Sequence, residues 1–186
     1  VDALCAQNGI DRKSVLRPGQ VLELPGAPPA SAASDKSRAP SGYRAYFRAP
    51  KRKGYVEIVG YNEKFKGHVL DKKDRFLPAA IAKISRILGT TGKRPKVEPR
   101  LVRLLVLLSD KFGGRPIRVV SGYRTSSYFE DSRHKTSQAV DFSILGVPNE
   151  ALRDYLRTLP RVGVGYYPNS SFVHLDVRAY AAYWVD

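Results

Sequence analysis

The chain of 186 residues lacks methionine altogether and has a single cysteine. Because one cysteine, Cys5, cannot form an internal disulfide, a disulfide-built fold is excluded, and the redox compartment stays open. The absence of methionine predicts that the sequence begins after its natural start. A removed export signal is compatible with that, although no signal peptide is visible. No apolar run approaches the roughly 20 residues of a membrane-spanning helix, so none predicts a membrane span.

Acidic residues are also scarce: 17 Asp and Glu stand against 32 Lys and Arg, a formal net charge of +15. Such an excess predicts a polyanionic partner, which is a nucleic acid, a membrane surface or an acidic wall polymer. The basic residues are scattered, with no Lys/Arg run of five or more and no array of aromatics interleaved with Lys and Arg. Stacking on nucleic-acid bases needs such an array, so nucleic-acid binding is disfavoured.

Composition divides the chain into three parts. Residues 27–42, APPASAASDKSRAPSG, are rich in Ala, Pro and Ser without an apolar period, which predicts a linker. Residues 1–26 precede it as a small module. Residues 43–186 follow it with enough chain to bury a core of their own.

Residues 1–26 predict two short helical turns and then a strand, after a turn at Pro18-Gly19. Residues 16–25, LRPGQVLELP, resemble the end of a LysM module, which commonly reads L-x-P-G-Q-x-L-x-I-P. The resemblance implies binding to glycans that contain N-acetylglucosamine, such as peptidoglycan. The first strand of that module is missing and a two-stranded sheet cannot close without it, so we expect only a partial LysM-like unit. The alternative is a loosely packed leader with a chance turn.

The third part predicts an α+β fold, with a mostly antiparallel sheet and helices packed behind it. Alternation in residues 54–61 and the return stretch 66–71 predict a hairpin that turns at Asn62-Glu63 and carries His68 on its surface. Pro78 and Pro99 suit first-turn positions of two helices, and the broad apolar stripe of the second predicts a central, buried helix. Further strands are predicted at 116–121, 138–144 and 172–177, and an amphipathic helix at 148–159.

Three residues in or beside strand-like stretches carry the candidate chemistry: His134, Asp141 and His174. A lone imidazole or carboxylate of this kind is more often a hydrogen-bonded structural residue than a ligand. Here the three lie among core-forming residues, where polar groups are costly to bury unless something compensates them, and a divalent cation is the usual compensation. Two His and one Asp leave a tetrahedral zinc one position for water, as in catalytic sites.

The spacing of these residues resembles a known family. Ser132-x-His134, Ala139-x-Asp141 and His174-x-Asp176 resemble the zinc peptidases that include D-alanyl-D-alanine carboxypeptidases, with their SxHxxGxAxD pattern, and especially the murein endopeptidases of the MepK-like branch. The resemblance covers roughly residues 43–186. It implies a fold like that of hedgehog proteins and D-Ala-D-Ala peptidases, with a zinc site in a surface cleft. It also implies that His134, Asp141 and His174 are the zinc ligands.

Arg124 and Ser132 are the candidate substrate-binding residues. Arg124 follows the predicted strand 116–121 in the sequence SGYR. Beside a metal that supports acyl cleavage, a guanidinium holds a substrate carboxylate or stabilises the oxyanion, and family arginines at this position act in that way. The alternative for Arg124 is a solvated surface cation. Ser132 either orients the loop before His134 or hydrogen-bonds the substrate.

The sequence leaves the general base open. Many family members carry Glu or Asp three residues before the last His ligand, where this chain has Ser171. A second departure is Ser137, where the family pattern usually has Gly. Asp176 is the remaining candidate for a catalytic role, because it lies two residues after His174 and therefore on the same face of the strand. Asp176 is either the general base or the partner that orients a ligand imidazole.

These features together predict a zinc-dependent metallopeptidase that hydrolyses the peptide cross-links of peptidoglycan. The resemblance implies an exported protein of the bacterial periplasm or cell envelope, with peptidoglycan as its partner, and we expect a monomer. The alternatives are a D,D- or L,D-carboxypeptidase of the same fold and a non-catalytic zinc-containing wall-binding protein, which Ser171 keeps open. Manganese or iron fits the same donors.

Overall fold

The computed structural model describes residues 45–127 and 131–186, together with Asp2, Cys5 and Ala6. Internal contacts divide the chain into two units, Val1–Arg38 and Ala39–Asp186, and every element described below lies in the second. The LysM-like segment, apart from those three residues, and the linker at 27–42 lie outside the described residues. Both therefore stay predictions.

The second unit contains three α-helices and seven strands within its described residues. The helices are α1 (Pro78–Ile87), α2 (Pro99–Lys111) and α3 (Asn149–Leu156). The strands are β1 (Tyr55–Val59), β2 (Lys64–His68), β3 (Ile117–Ser121), β4 (Ala139–Ile144), β5 (Val162–Tyr166), β6 (Val173–Val177) and β7 (Ala182–Val185). Among the described residues, no helix is long and apolar enough to cross a membrane.

All seven strands form one mixed sheet in the order β2-β1-β3-β4-β6-β5-β7. Four neighbouring pairs are antiparallel, and β1 with β3 and β5 with β7 are parallel. The predicted α+β class with a mostly antiparallel sheet is therefore confirmed. Strand β7 was not predicted, because its four residues hold no long alternating run and it depends on pairing with β5.

The predicted hairpin is present, but its second strand begins earlier than the sequence indicates. It spans Lys64–His68 rather than 66–71, and Val59 pairs with Lys64. The N–H of Gly60 donates to the carbonyl oxygen of Glu63 (2.8 Å), which closes a tight turn and sets this register. His68 ends the strand with an exposed side chain.

Alternation along the central strands separates a helix-facing side from a site-bearing side. One set of alternate residues packs into the hydrophobic core with residues of the helices: Val140, Phe142, Ile144, Val173, Leu175 and Val177. Because successive strand residues point to opposite faces, Asp141, His174 and Asp176 point to the other side of the sheet. Helix α2 lies in that core, with Leu101, Leu105 and Leu108 fully buried, as its broad apolar stripe predicts.

Candidate metal centre

Asp141 and His174 face one another across the two central strands. Strands β4 and β6 pair antiparallel with Asp141 opposite His174. One carboxylate oxygen, Asp141 Oδ1, lies 2.9 Å from His174 Nδ1, and both side chains are buried. The register of the sheet thus joins two residues that are 33 positions apart in the chain.

His134 reaches the same point from a 3-10 helix, Arg133–Thr136, that precedes β4. Its side chain is 1% exposed, and its Nδ1 lies 2.6 Å from the carbonyl oxygen of Gly122 at the end of β3. A carbonyl oxygen only accepts hydrogen bonds. His134 Nδ1 therefore carries the proton, and Nε2 presents its lone pair to the cluster.

Ser137 ends this 3-10 helix in the left-handed region, with φ 58° and ψ 29°. Glycine adopts this region without steric cost, which explains why glycine suits the position in the family pattern. In this chain the serine hydroxyl donates to the carbonyl oxygen of Pro95 (2.8 Å), and the N–H of Glu98 donates to the carbonyl oxygen of Ser137 (3.1 Å). The serine therefore keeps the turn between His134 and β4.

The cluster brings together three electron-pair donors. His174 Nε2 lies 3.0 Å from Asp176 Oδ2, and because a carboxylate oxygen accepts, this nitrogen carries a proton. In the neutral ring, His174 Nδ1 therefore keeps a lone pair. His134 Nε2 lies 3.2 Å from that nitrogen and 3.3 Å from Asp141 Oδ1. Two lone pairs and a carboxylate oxygen pointing at one another in a buried space are unfavourable unless a proton or a metal cation lies between them. The three side chains form a group that is able to hold a metal ion.

The electrostatics of the cluster favour positive charge. Burial raises the pKa of Asp141, but the close contacts of its carboxylate with the His134 and His174 rings outweigh burial and lower that pKa to about 2. Burial lowers the pKa of His174, but the two carboxylates that flank its ring, Asp141 and Asp176, outweigh burial and raise that pKa above its ordinary value. Asp141 is therefore ionised at neutral pH, and the site attracts a cation next to the imidazoles.

The six residues predicted from the sequence to bind metal, bind substrate or act in catalysis all line one cleft of about 790 Å³: Arg124, Ser132, His134, Asp141, His174 and Asp176. Arg124 lies just after β3, with its Nη2 3.6 Å from Asp141 Oδ2 and its side chain 45% exposed. Ser132 precedes the 3-10 helix, and its side chain makes no capping hydrogen bond there. Arg124 and Ser132 are thus placed beside the cluster, with Arg124 open to solvent.

Asp176 is held between His174 and Arg178. Its side chain is 1% exposed, and Arg178 Nε donates to Asp176 Oδ1 (2.6 Å) while the second guanidinium nitrogen, Nη2, donates to Oδ2. Burial raises the pKa of Asp176, but hydrogen bonds from His174 and Arg178 lower it to about 2. The carboxylate is therefore ionised and engaged on both oxygens.

Known proteins match the part of the chain that contains this cluster. The family model described as peptidoglycan L,D-endopeptidase MepK matches residues 49–183, well over half of the sequence. The chain belongs to the MepK family. The resemblance seen in the sequence is thereby confirmed for the family, and the His-Asp-His cluster agrees with the metallopeptidase character of such peptidases.

Curated MepK relatives support the assignment. The chain is 31% identical over 116 residues to the probable peptidoglycan L,D-endopeptidase MepK of Haemophilus influenzae, covering 54% of this chain and 62% of the relative. It is 32% identical over 105 residues to the peptidoglycan L,D-endopeptidase MepK of Escherichia coli K12, covering 50% and 57%. The chain thus spans about three fifths of the length of these relatives. No solved structure is significantly similar to it.

Several residues around the centre of this MepK-family chain had no site role assigned from sequence. Arg178 holds Asp176 through the hydrogen bond from its Nε. The Trp184 ring lies 5.2 Å from the His174 ring, and Trp184 Nε1 donates to the Tyr167 hydroxyl (3.2 Å). Gly163 and Gly165 in β5 were the sequence feature that could have indicated these contacts. Glycine inside a buried strand often marks a close approach of other groups.

Proposed function

We propose that this protein is a zinc-dependent peptidoglycan endopeptidase that hydrolyses peptide cross-links of the bacterial cell wall. One observation carries the proposal: His134 Nε2, Asp141 Oδ1 and His174 Nδ1 converge in a cleft of a MepK-family chain. The relatives are named L,D-endopeptidases. Because the match covers 62% and 57% of their lengths, the activity and substrate are part of the proposal.

The donor set and its spacing support zinc. Ligand atoms about 2.0–2.1 Å from a tetrahedral zinc lie roughly 3.3 Å from one another. The three separations here are 3.2, 3.3 and 2.9 Å. His134, Asp141 and His174 would therefore hold the ion and leave one position open. Zinc in such a site acts as a Lewis acid that acidifies a water and polarises a carbonyl group.

Arg124 is proposed to act on the substrate. It lines the cleft, keeps 45% of its side chain exposed and lies 3.6 Å from the Asp141 carboxylate, so its guanidinium is next to the proposed metal site. There it pairs with a substrate carboxylate or donates to the oxygen that becomes negative during attack. Ser132, which also lines the cleft, is proposed to hydrogen-bond the peptide. Asp176 belongs to this site as the partner of His174.

The charge of the protein suits the proposed substrate. Three arginines line the cleft, Arg124, Arg133 and Arg178, and the whole chain carries a formal charge of +15. Peptide stems of the wall present free carboxylates, which such a surface attracts. We therefore propose an exported, monomeric protein of the cell envelope that acts on peptidoglycan.

Digestion of purified sacculi tests the proposal. The zinc-loaded protein, a His134→Ala variant and a His68→Ala variant are incubated with sacculi, and the released muropeptides are identified by mass spectrometry. His68 is an exposed histidine outside the cluster, so the same substitution there is the matched control. We expect the wild type and His68→Ala to release cross-link fragments and His134→Ala to release none.

Each other outcome counts against part of the proposal. Equal release by His134→Ala would refute a metal centre at the cluster. Loss of only a terminal residue from the stems would identify a D,D- or L,D-carboxypeptidase instead of an endopeptidase. No release by a zinc-loaded wild type that binds sacculi would identify a non-catalytic wall-binding protein, the alternative that Ser171 in place of an acidic residue keeps open.

A further inference from the structure

The position of Asp176 relative to His174 separates two roles that its sequence position leaves open. Asp176 Oδ2 lies 3.0 Å from His174 Nε2, whereas the other ring nitrogen, Nδ1, lies 2.9 Å from Asp141 Oδ1. The two nitrogens of an imidazole flank one ring carbon, Cε1, and their outward bonding directions diverge widely. The Asp176 carboxylate therefore contacts His174 on the side that points away from the three converging donor atoms.

Arg178 donates hydrogen bonds to both oxygens of the Asp176 carboxylate. Its Nε donates to Oδ1 (2.6 Å) and its Nη2 donates to Oδ2, which also accepts from His174. The Asp176 side chain is 1% exposed and that of Arg178 is 16% exposed. A carboxylate whose two oxygens are bound by a mostly buried guanidinium and an imidazole is well placed to orient the imidazole and poorly placed to approach a substrate.

Strand β5 leaves room for this pair. Gly163 lies opposite Asp176 in the sheet. A Cβ at position 163 would lie 2.6 Å from both Nε and Nη2 of Arg178, a distance that real Cβ atoms do not show. No side chain larger than that of glycine fits there while Asp176 and Arg178 stay in place. The glycine is therefore part of the same arrangement.

We infer that Asp176 is a positioning residue: with Arg178 and the space left by Gly163, it keeps the proton on His174 Nε2 and directs His174 Nδ1 toward the metal. This inference rests on the proposed metal site at the cluster. It assigns to Asp176 no proton transfer with the substrate. Partners of this kind change metal affinity by about 10- to 100-fold when removed, because the ligand ring loses its orientation and its tautomer.

Zinc affinity distinguishes this role from that of a general base. The zinc dissociation constant is measured by competition with a chromophoric chelator for the wild type, Asp176→Ala and Arg178→Gln, without any peptidoglycan present. We expect weakening of about 10- to 100-fold for Asp176→Ala, and a smaller change in the same direction for Arg178→Gln. Removal of a residue that acts only as a base would leave zinc affinity unchanged.

Asp154→Ala is the matched control. Asp154 also forms a mostly buried pair with an arginine, since Arg153 Nε lies 2.7 Å from Asp154 Oδ1 and the Asp154 side chain is 9% exposed. It does not line the cleft described above. We expect this variant to bind zinc as tightly as the wild type. Equal weakening in Asp154→Ala would mean that loss of any buried ion pair loosens the domain, which would overturn the inference.

Gly163→Ala provides a second variant, which removes no polar group from the protein. The added methyl group displaces the Asp176–Arg178 pair, so zinc affinity should fall in the same direction as in Asp176→Ala. Nitrogen-15 NMR of the zinc-free protein, at a pH high enough to keep the His174 ring neutral, adds a direct readout. It should show His174 protonated at Nε2 in the wild type and a mixture of tautomers in Asp176→Ala.

The outcomes separate this inference from the proposed function. If Asp176→Ala binds zinc as tightly as the wild type but no longer cleaves sacculi, Asp176 is the base, and the inference fails while the peptidase proposal stands. If the wild type cleaves nothing yet Asp176→Ala has weakened zinc binding, the inference stands and the peptidase proposal fails.

Discussion

At the scale of single residues, the candidate metal centre depends on the hydrogen bonds that orient its two histidines. His134 donates from Nδ1 to the carbonyl oxygen of Gly122, and His174 donates from Nε2 to Asp176, so each imidazole has one nitrogen fixed by a partner and one turned to the cluster. Arg124 differs from these residues because much of its side chain is exposed. It is therefore the residue whose replacement should affect the substrate more than the metal.

Replacing Arg124 by Gln should lower kcat/KM on a cross-linked muropeptide by about 100- to 1000-fold, the typical effect of losing a donor to a developing negative charge. Zinc affinity should change much less than activity, since Arg124 is not one of the three proposed metal ligands. Arg124→Lys keeps the charge without the paired donors and should retain part of the activity. Steady-state kinetics and chelator competition measure the two effects.

The control for Arg124 is Arg118→Gln. Arg118 is an exposed arginine on β3, six residues earlier in the chain, and should tolerate the change. If Arg124→Gln cleaves as well as Arg118→Gln, the guanidinium has no role in substrate binding or in catalysis.

Ser137 offers a test of backbone strain next to a ligand. Ser137→Ala keeps a non-glycine residue at φ 58° and loses the hydrogen bond to Pro95, so we expect the free energy of unfolding to fall by about 1–2 kcal/mol. Ser137→Gly loses the same bond but removes the strain of the left-handed conformation, and should be more stable than the alanine variant by about 1 kcal/mol. Urea denaturation measures both. A glycine variant less stable than the alanine variant would contradict this account.

At the scale of elements, the site is set by where strands end and which strands are neighbours. Strand β3 ends at Ser121, and the next residue, Gly122, supplies the acceptor for His134. The end of β3 also touches the end of α1, because the N–H of Tyr123 donates to the carbonyl oxygen of Leu88 (2.8 Å). Packing of α1 against the sheet thus positions the backbone that orients a ligand.

Gly122→Ala should disturb both that packing and the metal centre. A Cβ at position 122 would lie 2.8 Å from Leu88 Cα and 2.9 Å from its carbonyl carbon, so backbone must move. We expect a loss of about 1–3 kcal/mol in the free energy of unfolding and weaker zinc binding. Gly67→Ala is the control, because its Cβ would meet only the far end of the Phe65 ring at 3.3 Å. Urea denaturation and chelator competition report the two effects. Unchanged zinc binding in Gly122→Ala would show that this carbonyl does not orient His134.

At the scale of the whole molecule, metal binding and folding are coupled. The cluster joins a residue before β4, one in β4 and one in β6, so its three donors meet only in the folded domain. A ligand that binds the folded state alone stabilises it by mass action. The repulsion among the converging donor atoms is relieved at the same time.

Zinc should therefore raise the stability of the domain. At a free concentration of about 1000 times the dissociation constant, the expected gain is about 4 kcal/mol, and excess chelator should remove it. Thermal or urea denaturation with and without zinc measures the shift. The His134→Ala variant should show little of this zinc-dependent stabilisation, and the His68→Ala variant should show all of it. A shift of the same size in His134→Ala would place the bound zinc elsewhere.

Sequence patterns predicted much of the fold and identified the candidate residues. Helix and strand periods can be seen in the sequence because each depends on residues that are close together in the chain. Helix α2 begins at its predicted proline and buries its broad stripe, and the six candidate residues line one cleft. The start of β2 was predicted two residues late, because the tight turn closed at Gly60 and Glu63 decides the register. The LysM-like segment and the linker remain predictions.

What the sequence by itself determined is the chemistry available: two imidazoles and a carboxylate at family spacing, core-forming residues at strand and helix periods, and an excess of positive charge. These follow from residue identity and local order. Tertiary structure alone decided which nitrogen of each imidazole faces the cluster, that Arg178 holds Asp176, and that β7 brings Trp184 against His174. Hydrogen-bond direction and contact across a sheet depend on the register of strands distant in the chain, and no local pattern encodes that register.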